Sequence, residues 1–119
     1  MKLIKDLTEE EFEDLMFLNT DINNEITGLG CNIFVMPKSY LDNKTPHIYV
    51  FEKNIRYITQ NNKYSIIKLC ANPYIIYDEL KLNYNDIFKF IKKYRKLFMK
   101  YWNWKIGASD IYNELIKKD

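Results

Sequence analysis

Histidine occurs once in this chain of 119 residues, cysteine twice, and glycine and proline three times each. A single histidine, His47, excludes any centre built on two His ligands, and leaves one candidate to pair with a nucleophilic Ser or Cys. Cys31 and Cys70 form no C-x-x-C, so neither a zinc ribbon nor a dithiol redox motif is present. Each lies in an apolar stretch and is expected to be a small buried residue, with no disulfide between them. Scarce Gly and Pro, together with 16% aromatic residues, exclude a disordered chain. No run of 18 apolar residues is present, so neither a membrane-spanning helix nor a membrane partner is expected. The chain opens Met1-Lys2-Leu3-Ile4-Lys5-Asp6 and turns acidic at once. A signal peptide is therefore not expected, and the expected location is cytoplasmic. Gly28-Leu29-Gly30 lacks the later Gly and Lys of a phosphate-binding loop and reads as a turn.

What is present is an ordinary globular balance, 47% apolar and 29% charged, at the length of one domain. The whole chain is expected to form a single domain, with an acidic helix and loop over 1–27, a core over 28–104 and a helix over 105–119. The net charge of +2 conceals an asymmetry. Residues 1–25 carry two Lys against eight Asp and Glu, a net of −6. Residues 26–85 carry seven basic against four acidic groups, a net of +3, and residues 86–119 nine against four, a net of +5. The acidic and basic ends can serve two different partners, or lie side by side in the fold and neutralise each other.

Local patterns place the elements. Thr8 caps an acidic helix, Glu11 completes a capping box, and Leu7 with Phe12 fits a hydrophobic staple. Phe12, Leu15 and Met16 form its apolar stripe. Asp21-Ile22-Asn23-Asn24 reads as a loop. Strands are expected at 31–36, 46–51, 55–59 and 64–69, joined by short turns at 52–54 and 60–63, and therefore antiparallel. Asn83 or Asn85 caps a long helix in which Ile87, Phe90, Ile91, Tyr94, Leu97, Phe98 and Tyr101 repeat at three and four. Lys89, Lys92, Lys93, Lys96 and Lys100 repeat with the same period on another side. Gly107 is expected to stop this helix, and a short helix follows over 109–117. The fold class is therefore α+β: a four-stranded antiparallel sheet packed on one long C-terminal helix, with short helices at both ends. Its expected core is Ile33, Val35, Ile48, Val50, Ile58, Ile67, Leu69, Ile87, Ile91, Tyr94 and Phe98.

The strand Pro46-His47-Ile48-Tyr49-Val50, then Ile67-Lys68-Leu69 with Asn72-Pro73, then a helix from Ile87 to Tyr101 ending at Trp102-Asn103, form a recognisable order. Over residues 30 to 104 the chain resembles a small bacterial domain-of-unknown-function family. That family has a Pro-His-x-His-Val strand motif and is associated with toxin–antitoxin-like and mobile-element genes. Tyr49 stands where the family has its second His. The resemblance implies the same fold, and the substitution weakens any metal role at this strand.

Three function classes remain. His47 can act as a general base, with Tyr49 and Arg56 beside it to stabilise an RNA phosphate, or it can simply bond a loop carbonyl at the strand start. The lysine face can neutralise phosphates while Tyr49, Tyr57, Tyr64 and Trp104 stack on bases. The acidic helix, with Glu9, Glu10, Glu13 and Asp14, can meet a basic groove, and ten Tyr exceed what a core of this size needs. The favoured expectation is a non-enzymatic interaction or inhibitor protein of a toxin–antitoxin or phage-defence setting, comparable to an anti-CRISPR inhibitor. It is expected to bind a protein or ribonucleoprotein through charged surfaces, with no cofactor and no metal. The alternative is a small toxin-like RNA-binding or RNA-cleaving protein using His47.

Overall fold

The computed structural model describes residues 1–55 and 57–117. Its centre is a five-stranded antiparallel sheet in which every strand pairs with its predecessor. The strands are β1 (Thr20–Ile22), β2 (Cys31–Val35), β3 (His47–Glu52), β4 (Tyr64–Lys68) and β5 (Ile75–Asp78). The helices are α1 (Glu9–Leu18), α2 (Asn24–Thr27), α3 (Asn85–Trp102) and α4 (Ala108–Ile116), with a 3-10 turn at Ile4–Asp6. The class is α+β with an antiparallel sheet, as the sequence leads one to expect.

The sheet has five strands, not four. The long helix α3 is followed by the short α4, close to the expected 109–117. Residues 55 and 57–59 are in no strand, despite the β-branched and aromatic side chains there. Tyr49 pairs with Ile66 and Val50 with Ser65, so β3 and β4 are direct neighbours and leave no slot between them. Ile58 instead packs, half-buried, on one sheet face. Gln60 donates there to the carbonyls of Ile4 (3.1 Å) and Leu7 (2.8 Å). Thr20–Ile22, expected as a loop, pairs with β2 in the register Thr20↔Val35.

Strand alternation sorts the core into two layers. Ile33, Val35, Ile48, Val50 and Ile67 face Ile87, Ile91, Phe98 and Tyr101 of α3 and Ile111 of α4. Phe34, Tyr49, Phe51, Tyr64 and Ile66 face the other way, against Ile4 and Leu15 of α1. The central strands β2, β3 and β4 are therefore buried on both faces, and α1 and the body of α3 lie on opposite sides of the sheet, with Trp102 at the end of α3 reaching the α1-side layer. Among the expected core residues Ile58 and Tyr94 are only half-buried; the rest are buried.

The helix ends follow their chemistry. Thr8 Oγ1 accepts from the Glu11 N–H (3.1 Å) and Glu11 accepts from the Thr8 N–H (2.9 Å), so the capping box forms. At the start of α3, Tyr84 occupies the cap position in place of an Asn. Asn83 Oδ1 instead accepts from the Asn85 N–H (3.1 Å). Gly107 does not stop α3. Asn103 closes that helix, Trp104 adopts φ 63°, and Gly107 caps α4, donating its N–H to Asp110 (2.9 Å). Asp78 ties the sheet to the start of α3 by accepting from Tyr84 (2.5 Å), Ser65 (3.1 Å) and the Lys81 N–H (2.9 Å).

Candidate functional site

Helix α3 buries one stripe and leaves the neighbouring stripe to solvent, because charged residues recur there at three and four. Lys89, Lys92, Lys93, Lys96 and Lys100 are all exposed. Among the described residues no carboxylate lies within ion-pair distance of any of them. The Lys93 ammonium sits 5.2 Å from the centre of the Tyr94 ring. Beside the lysines, α3 and α4 enclose an open groove of about 700 Å³. Lys93, Lys96 and Lys100 form one wall, Asp110 and Glu114 the other, and Tyr94, Leu97 and Ile106 line it between them. Tyr94 has non-helical dihedrals (φ −105°, ψ 15°), and its ring lies 5.0 Å from Phe90 and 6.3 Å from Phe98.

The aromatic residues expected to stack on bases are not gathered at this face. Tyr49 and Tyr64 are buried in the α1-side core, so neither presents a ring to a ligand. Tyr57 is 86% exposed, but it lines a depression with Met16 and Phe34 on the α1 side of the sheet. Trp104 is 58% exposed at the end of α3, where its indole N–H donates to the Lys38 carbonyl (2.7 Å). Arg56 lies outside the described residues.

His47 opens β3 and is 2% exposed. Its Nδ1 lies 2.5 Å from the Thr45 carbonyl, which can only accept, so Nδ1 carries the proton. Nε2 then accepts from the Tyr49 hydroxyl (3.3 Å). Burial holds the His47 pKa below its ordinary value, while the Thr45 carbonyl and Asp42 work against that shift. Asp42 Oδ2 is 3.8 Å from Nδ1, buried, and has no hydrogen-bond partner. The adjoining cavity, lined by Asp42, His47, Tyr49 and Leu15, measures about 20 Å³. That is room for a water molecule and not for a nucleotide. Burial likewise pushes the Tyr49 phenol well up.

The acidic side chains of α1 divide. Glu9, Glu10 and Glu13 are exposed, and Asp14 is half-buried and accepts a hydrogen bond from the Tyr40 hydroxyl. That bond is the main reason the Tyr40 pKa is pushed up to about 12. Sequence reasoning missed Phe17, which is 90% exposed at the end of the same helix. Its place off the Phe12–Leu15–Met16 stripe was the available signal. Both cysteines are free; Cys31 is buried, and burial pushes its thiol up to about 11. Cys70, expected to be buried, is only half-buried. Among the described residues no three His, Cys, Asp or Glu side chains converge as a metal site would require, and no helix is long and apolar enough to cross a membrane.

No protein-family model, no curated protein and no solved structure matches this chain.

Proposed function

We propose that this protein is a non-enzymatic binding module that holds an anionic surface of a protein or ribonucleoprotein partner on the lysine face of α3. One observation carries the reading. Five lysines share one exposed helix face, and among the described residues no carboxylate lies within ion-pair distance of any of them. Like charges three and four residues apart destabilise a helix, so the face costs the fold stability and is accounted for by what it binds. The catalytic alternative gains nothing from His47, which is buried, bonded at both ring nitrogens and next to a water-sized cavity. The toxin–antitoxin setting rests on the family resemblance of residues 30–104, and the phage-defence inhibitor reading on the small size and the charge blocks of the chain.

The test is capture from host lysate on the tagged protein, with and without nuclease, beside a variant carrying Lys92→Glu, Lys93→Glu and Lys96→Glu. The variant is expected to keep its melting temperature or raise it, since several repulsive pairs become attractive. It is also expected to lose the captured partner. Capture by the wild type is expected to weaken steeply with salt, roughly in proportion to the number of charge contacts. A partner retained by the variant, with unchanged salt response, overturns the reading.

A further inference from the structure

Helix α1 has a second face that belongs to neither core layer, although its Asp14 accepts a hydrogen bond from the Tyr40 hydroxyl. Glu10, Glu13, Asp14 and Phe17 fall at i, i+3, i+4 and i+7, one stripe on the side away from the sheet. Phe17 belongs to neither core layer and is 90% exposed, although burying a phenyl ring in apolar surroundings is favourable. On the opposite side of the sheet, the groove between α3 and α4 has the converse features. Lys93, Lys96 and Lys100 rise along one wall, and Tyr94, Leu97 and Ile106 supply apolar surface inside. The two stripes also match in length: Glu10 to Phe17 and Lys93 to Lys100 each advance seven residues, about 10 Å of helix.

We propose that these two surfaces recognise each other between copies of this chain. Phe17 of one copy enters the α3–α4 groove of the next, and Glu10, Glu13 and Asp14 lie against Lys93, Lys96 and Lys100. The other wall, Asp110 and Glu114, repels an acidic stripe and so fixes the wall against which it docks. Because ridge and groove lie on opposite sides of one molecule, the contact is heterologous. Each copy added leaves one free ridge and one free groove, so assembly runs head to tail. The inference does not depend on the binding function proposed above, but it uses the same lysines. A second copy and an anionic partner therefore compete for them.

The test is sedimentation velocity on the purified full chain across a concentration series, at low and high salt. Wild-type protein is expected to grow in mass with concentration at low salt and to return to monomer at high salt, where the charge pairs are screened. Phe17→Ser, which lacks the ridge, and Lys96→Glu, which lacks the groove, are each expected to remain monomeric alone. Mixed in equal amounts, they retain one working interface and are expected to form a dimer and nothing larger. Circular dichroism melting checks that both variants stay folded; both substitutions are at exposed positions. A wild-type protein that stays monomeric at low salt overturns the proposal. So does association that survives either substitution, or a mixture that fails to dimerise. None of these results bears on capture of an anionic partner.

Discussion

A neutral, buried imidazole makes stability depend on acidity. His47 is neutral in the fold because burial opposes its charge, whereas the same ring in the unfolded chain titrates near its ordinary value. A depressed folded pKa gives a contribution that is present above the unfolded pKa and lost as pH falls toward the folded one. Melting temperature is therefore expected to fall between about pH 7 and about pH 5. His47→Asn, which keeps a donor for the Thr45 carbonyl, is expected to flatten that dependence even if it lowers stability overall. A pH slope equal in the two proteins counts against the assignment. At this scale the sequence was legible in part. A histidine at a strand start that bonds a loop carbonyl is a local reading, and the carbonyl is that of Thr45. That Tyr49 and Tyr64 turn inward was not readable, because which strand face is covered depends on α1, which is remote in sequence.

At the scale of elements, short-range chemistry wrote the most legible parts. The capping box of α1 spans four residues and could be read directly. Thr8→Ala is expected to cost about 1 kcal/mol, measured by denaturant unfolding, with α1 fraying first in hydrogen exchange. An unchanged midpoint would show that packing of Leu15 alone holds the helix. The period of α3 was equally legible, since one stripe of its apolar residues meets the sheet over five turns. Strand existence was harder to read. Residues 55–59 have the propensities of a strand, yet β3 and β4 pair directly, and residues 55 and 57–59 stay out of the sheet. Conversely, β1 is three residues long and contains Asp21, too short for its alternation to stand out. Propensity ranks what a segment tolerates; the number of free sheet edges decides what it becomes.

For the whole molecule, the charge asymmetry of the sequence becomes a spatial one. The acidic helix α1 and the body of the lysine-bearing α3 flank the sheet from opposite sides, and among the described residues no α1 carboxylate forms an ion pair with an α3 lysine. The two ends nevertheless touch beside β1, where the Tyr101 hydroxyl donates to the Leu18 carbonyl (3.2 Å) and the Tyr112 hydroxyl to the Asp21 carbonyl (2.5 Å). Both helical layers rest on the same five strands, and Met99 of α3 packs against both core clusters. One cooperative unit is the consequence. Phe98→Ala, in the α3-side layer, is expected to cost about 3–5 kcal/mol. Fluorescence of Trp102, which belongs to the α1-side cluster, is expected to report the same earlier transition as circular dichroism. Separate transitions for the two probes would show that the layers unfold independently.

The borders of the sheet carry a further consequence. One border is β1, three residues long with a carboxylate at its centre; the other is β5, four residues long, joined to β4 across a bulge between Ile66 and Ile67. Short, charged and irregular borders are poor templates for adding a foreign strand. The ribbon is thus a poor template for growth in its hydrogen-bonding direction, the direction of amyloid.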